Sequence, residues 1–224
     1  MNETIDTAAL DNRVFVLVLQ HPRERGNALA TAALLPALLR RARIAIGLSW
    51  PNLAQALGEP AEPAAWAVLH LGSARPAALG CGPGTESDPA QELIVLDRRG
   101  ERVREGRAIL AGIDGIVLLD GTWQQAKTLW WRNPWLLKLR RIVLNPPERA
   151  RYGRVRREPR PEALSTLEAA ALALKHLEGR PDLERALRAR LECLIGAASA
   201  RGTGQGRAGK ARSSGADGPG RRGR

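Results

Sequence analysis

IVLLDGTWQQAKTLWWRNPW, from Ile116 to Trp135, contains the change of period that decides the fold class. Ile116, Val117, Leu118 and Leu119 form an apolar run that stops at Asp120. A short apolar run closed by a turn signal reads as a buried strand. Gly121 permits a tight turn. Thr122 and Gln125 then make a T-x-x-Q capping box, in which the hydroxyl accepts from a free helix N–H and the Gln side chain reaches back to the cap. Asp120 is therefore expected at the carboxyl end of a strand, beside a helix N-terminus. That is the edge at which open α/β sheets bind ligands. A carboxylate placed there can act as a base, although an Asp before a helix also serves as a plain cap or turn residue. Four of the six tryptophans, Trp123, Trp130, Trp131 and Trp135, lie in or just after this helix.

Working outward, Arg13 to Gln20 (RVFVLVLQ) reads as a strand that runs into the polar cluster His21 to Asn27. A helix is expected from about Ala30 to Ala42, with Pro36 marking a late start or a kink. Arg43 to Gly47 reads as a short strand, and Trp50-Pro51-Asn52 opens a short helix ending near Gly58. Trp66 to Leu71 is a strand leading into Gly72-Ser73, and Glu92 to Leu96 is another. GCGPG at Gly80 to Gly84 lies about ten residues past its strand and contains Pro83, so it reads as a surface loop and not as a dinucleotide-binding turn. Asp97 to Gly112 is a charged helix or loop excursion. Arg141 to Leu144 is the next strand, closed by Asn145-Pro146-Pro147. Ser165 and Glu168 form a second capping box, at the head of a helix spanning about Leu164 to Leu177. A last helix is expected from about Asp182 to Ala197. Alternating strands and helices predict an α/β domain with a mostly parallel sheet flanked by helices.

The chain has 224 residues, enough for a proper core, and a formal net charge of +12. Beyond Ala198 the composition collapses to Gly, Arg, Ser and Ala. Residues 1–198 are thus expected to form the domain, and 199–224 a disordered basic tail. The tail has seven basic residues against one acid, so half of the +12 resides there. A basic chain points to a polyanionic partner, nucleic acid above all, with plain solubility as the bland alternative. No run approaches the ~20 apolar residues of a membrane helix, and MNETIDTAALDNR lacks the basic-then-apolar pattern of a secretory leader. Cys81 and Cys193 have no metal-ligand spacing, so no metal site is expected and a reducing cytoplasm is the expected location.

Three polar clusters follow strands or open helices: His21 to Thr31, Asp120 to Gln125, and Ser165 to Glu168. Between the last two, Arg132 to Arg160 contains ten Lys/Arg and two Glu, with Tyr152 set among arginines. Such a stretch can neutralise phosphates while aromatic faces stack on unpaired bases. It can equally be a solvated face over core tryptophans.

LLDGTWQQAK at Leu118 to Lys127, followed by Tyr152 and STLEA at Ser165 to Ala169, resembles the DTW-domain family. DGTW at Asp120 to Trp123 matches its signature, HPRE at His21 to Glu24 with Thr31 beyond matches its HP-x-E, and Asn133-Pro134 falls in the same order. The resemblance implies a SPOUT-like α/β fold with a C-terminal trefoil knot. It implies a tRNA-uridine aminocarboxypropyltransferase, which takes the 3-amino-3-carboxypropyl group of S-adenosylmethionine to N3 of a uridine in tRNA and releases methylthioadenosine. Asp120 is then the candidate base. Leu71, Gly72, Ser73, Leu119, Gly121, Thr122, Trp123, Leu144, Ser165, Thr166 and Glu168 become candidates for the cofactor. His21, Glu24, Thr31, Lys127, Tyr152, Arg154, Arg156 and Arg157 become candidates for the RNA. Two alternatives stay open: a SPOUT-like RNA methyltransferase, and a non-catalytic basic RNA-binding module. A capping box explains Ser165 and Glu168 without any ligand, and His21 without one is a structural hydrogen-bonding residue.

Overall fold

A computed structural model describes residues 9–26, 31–69, 92–144 and 165–205. Its strands are β1 (Phe15–Gln20), β2 (Ala42–Ile46), β3 (Trp66–Leu69), β4 (Leu93–Leu96), β5 (Gly115–Asp120) and β6 (Arg140–Leu144). Its α-helices are α1 (Leu35–Leu38), α2 (Leu53–Leu57), α3 (Gly106–Ala111), α4 (Trp123–Arg132), α5 (Thr166–Glu178) and α6 (Pro181–Gln205). Among the described residues one sheet forms, in the order β2-β1-β5-β3-β6-β4. All its pairings are parallel except that of β4 with β6.

The adjacent interior strands β1 and β5 are apolar on both faces, as strands buried on both sides must be. Side chains alternate along a strand, so Val16, Val18, Ile116 and Leu118 enter one core with α1, α5 and α6. Leu17, Leu19 and Val117 enter another with α2, Leu129 of α4, Trp135 and Leu136. The result is a three-layer α/β/α arrangement.

The helix expected over 30–42 is two short pieces: a 3-10 turn at Thr31–Leu34 and then the four-residue α1. Pro36 lies in the first turn of α1, where its missing N–H costs no bond, and the backbone is extended again at Leu39. α6 continues to Gln205, beyond its expected end near Ala197 and into the first residues of the expected tail. The predicted knot depends on the path of residues 145–164, which lie outside the described residues.

An ionic cluster ties the antiparallel edge to the helical layer. Glu92, just before β4, accepts from His176 Nε2 at 2.8 Å and Lys175 Nζ at 3.2 Å, both on α5. Lys175 also lies 3.5 Å from Glu184 on α6, which pairs with Arg188. Burial alone would raise the Glu92 pKa, but the hydrogen bonds from His176 and Lys175 outweigh it and hold the carboxyl below its ordinary value. A carboxyl depressed on folding contributes stability above its unfolded pKa, and that contribution is lost as pH falls through the folded pKa. Glu92→Gln is therefore expected to lower the melting temperature at pH 7, by a margin that shrinks as the pH drops below the usual carboxylate range. Thermal unfolding of both proteins across that range checks this; a constant margin would show that the charge on Glu92 contributes nothing.

Candidate active site

The site grows out of the register between two adjacent interior strands. β1 and β5 run parallel, with Gln20 opposite Asp120 at their carboxyl ends. Both positions continue the alternation of Val18 and Leu118, the face that α5 covers. Each strand therefore ends with a polar side chain directed into the same layer. Gln20 Nε2 donates to Asp120 Oδ2 at 2.8 Å, and both residues are buried, Asp120 with 8% of its surface exposed. From the helical layer, Thr166 Oγ1 donates to the other carboxylate oxygen, Oδ1, in a short hydrogen bond. One carboxylate is thus held at both oxygens by donors from elements 100 and 46 residues away in sequence. An ionised carboxylate has about four acceptor sites, so these two bonds fix its orientation and leave lone pairs for a third group.

The two capping boxes frame this carboxylate. Thr122 caps α4: its hydroxyl accepts from Gln125 N at 3.4 Å, while Gln125 Oε1 accepts from Thr122 N at 2.5 Å. Thr122, and not Asp120, is therefore the cap of α4. Ser165 caps α5: Glu168 Oε2 accepts from Ser165 N at 2.9 Å and Ser165 Oγ accepts from Glu168 N at 3.2 Å. Glu168 and Ser165 are buried, so the capping reading of this pair holds, and it places Thr166 at the first helical position facing Asp120. Gly121 passes between these parts with φ +155; a Cβ there would come within 2.8 Å of Gln125 Cβ and 3.4 Å of His21 Cβ.

His21 follows β1 directly. Its N–H donates to the carbonyl of Asp120 at 3.0 Å, extending the β1–β5 ladder by one bond. Its Nδ1 accepts from Arg23 N at 3.2 Å and caps the 3-10 turn Pro22–Glu24. Both bonds are structural, as the hydrogen-bonding reading of this residue expects. Glu24 and Thr31 are buried. Lys127 is exposed, with Nζ 5.4 Å from the Trp123 ring centroid. Leu119 and Leu144 are half-buried at strand ends, Leu144 two strands away from β5. The structure thus gathers Gly121, Thr122, Ser165, Thr166, Glu168 and His21 around Asp120. Leu71, Gly72, Ser73, Tyr152, Arg154, Arg156 and Arg157 lie outside the described residues.

Two residues of this region do not stand out in the sequence. Gln20 reads there only as the end of a strand, and its one signal is that a polar residue closes an apolar run at the same parity as Asp120. Asn133 reads only as part of Asn133-Pro134. It is fully buried. Its Oδ1 accepts from Trp50 N at 2.9 Å and Trp135 Nε1 at 3.2 Å, and its Nδ2 donates to Leu48 O at 3.0 Å and Leu129 O at 2.7 Å. Those four bonds saturate its amide and anchor the end of α4. Among the described residues no group of His, Cys, Asp and Glu could hold a metal ion, and no helix is long and apolar enough to cross a membrane.

A mostly parallel, doubly covered sheet with a clamped carboxylate at the carboxyl ends of β1 and β5 defines an α/β domain of the class whose ligands bind at that edge. The chain belongs to the DTW domain family, whose model matches residues 3–198. The tRNA-uridine aminocarboxypropyltransferase 2 of Drosophila melanogaster is 32% identical over 174 residues, which cover 77% of this chain and 59% of that protein. The proteins of the same name from Mus musculus and Macaca fascicularis are 28% and 27% identical, over 79% of this chain and 52% of each relative. The chain thus spans only between half and three-fifths of the length of these relatives. No solved structure matches it.

Proposed function

We propose that the chain is an aminocarboxypropyltransferase acting on a uridine of tRNA, with S-adenosylmethionine as donor. The observation that carries this reading is the carboxylate of Asp120, clamped by Gln20 and Thr166 in a chain of the DTW family. The names of the relatives support the same reaction. The residues at this edge suit the donor, whose cationic groups fit a clamped carboxylate. Gly121, Thr122, Ser165, Thr166 and Glu168 would surround it, with Leu119 and Leu144 on strand ends of the same sheet.

S-adenosylmethionine supplies an electrophilic carbon on a sulfonium whose departure as a neutral thioether drives the transfer. The protein must remove a proton. Uridine N3–H is a weak acid, and Asp120 accepts its proton as N3 forms the new N–C bond. The C–S bond breaks, its electron pair stays on sulfur, and the proton later leaves Asp120 for solvent. Gln20 and Thr166 hold the carboxylate so that no reorientation is needed during the step.

Product analysis tests this directly. The chain is incubated with S-adenosylmethionine and tRNA, and the small-molecule product is identified. Methylthioadenosine is expected. S-adenosylhomocysteine would establish a methyltransferase instead, and RNA binding without either product would establish a binding module.

A further inference from the structure

The structure separates the tryptophans that the sequence left together. Trp66 and Trp135 are buried in the sheet core, and Trp130 packs against the same cluster. Trp123 is 37% exposed and Trp131 is 78% exposed. Trp123, Lys127 and Trp131 follow one another at i, i+4 and i+8 along α4, so they share a face. Lys127 extends over the Trp123 ring, so cation and aromatic surface alternate along that face. α4 has no acidic residue, and the exposed Arg132, Lys138 and Arg140 continue its basic character. Single exposed apolar side chains are ordinary on protein surfaces. Two indoles with a lysine between them on one helix face, in a chain of net charge +12, are not a scattered single case.

We propose that the Trp123–Lys127–Trp131 face of α4 is a stacking track for unpaired nucleotides of the RNA, leading away from the nucleotide held at Asp120. Resting on the reading above that the substrate is RNA, it narrows the substrate to a uridine with unpaired neighbours. Base faces stack on indoles without regard to sequence, and the lysine neutralises a phosphate between them. The helix begins three residues after Asp120, so the track starts at the reacting edge. Eight residues at ~1.5 Å rise span ~12 Å, room for roughly three nucleotides at ~3.4 Å each. A paired strand cannot use it, because its bases already stack on one another.

The test uses the full chain and two probes, a fluorescent unpaired oligouridylate and a fully paired RNA hairpin, titrated without S-adenosylmethionine. Trp131→Ala is expected to weaken binding of the unpaired strand by roughly tenfold and to leave hairpin binding within about twofold, as loss of one stacked base predicts. Trp131→Phe should restore most of the loss. Lys127→Gln should lower the slope of log affinity against log salt by about 0.7, the value for one phosphate of a single strand, whereas Trp131→Ala leaves the slope unchanged. Equal binding of the unpaired strand by wild type and Trp131→Ala overturns the track, as does equal loss for both probes. Unchanged RNA binding with reduced self-association in sedimentation would assign the face to a protein contact and also overturns it. Methylthioadenosine release is measured alongside. If transfer to tRNA persists while the track fails, the enzyme reading stands alone. If the wild type binds neither RNA and releases no methylthioadenosine with tRNA, both fall.

Discussion

Asp120→Asn is expected to slow transfer to tRNA by roughly 10²–10⁴-fold, the usual loss when a general base is removed. The substitution nearly preserves shape. Thr166 can still donate to the amide oxygen, and a half-turn of the Gln20 amide presents its oxygen to the new N–H₂. Binding of S-adenosylmethionine and of tRNA, measured separately, should therefore survive. The assay is a single turnover, so that product release does not mask the step. Because bulk hydroxide can ionise uridine N3, the variant should recover rate as pH rises, more steeply than wild type. Transfer within a few-fold of wild type would remove Asp120 as the base and leave it as the acceptor that joins β1, β5 and α5. Loss of binding together with rate would place it in positioning.

Gly121→Ala should destabilise the fold and disturb the site together. The new Cβ would sit 2.8 Å from Gln125 Cβ and 2.9 Å from Gln125 Oε1, inside van der Waals contact, and φ +155 is itself unfavourable for a side chain. Relief requires Gln125 to move, and Gln125 is half of the capping box of α4. Overpacking of this kind typically costs about 1–3 kcal/mol, and roughly 3–10 °C in melting temperature for a chain of this size. Calorimetry reads the shift directly. Because Gly121 follows Asp120, transfer should fall as well, with a larger share of the loss in substrate binding than for Asp120→Asn. A shift of under about 1 °C would mean that the turn relaxes freely and that glycine is not required there.

Much of this was legible in the sequence because it is local. An apolar run, a glycine and a capping box within ten residues specify strand, turn and helix without reference to the rest of the chain, and Thr122–Gln125 and Ser165–Glu168 both form as their spacing requires. The over-long helix at 30–42 shows where local reading fails. Its apolar residues are compatible with a helix, but pairing of residues 42–46 with β1 takes the end of the segment into the sheet. The site was half legible. Asp120, Thr122 and Ser165 stand out by motif. Gln20 does not, because its role exists only once β1 and β5 are side by side. Thr166 was legible as a helix start but not as a donor to a residue 46 positions earlier. Parity along the two strands carried that information, but only register makes it readable.

The saturated amide of Asn133 gives α4 a mechanical character. One end of the helix is held by the turn and cap at Gly121 and Thr122, the other by four bonds to a side chain with no solvent exposure. A rod clamped at both ends cannot swing or fray without breaking several bonds at once. Any molecule that lies along its outer face therefore meets a surface already in its final shape, and forfeits only its own freedom on binding. Loosening the clamp at Asn133, whose side chain is buried and touches no ligand, would make that surface move, and would be expected to speed dissociation of whatever lies on it before altering the chemistry at its head.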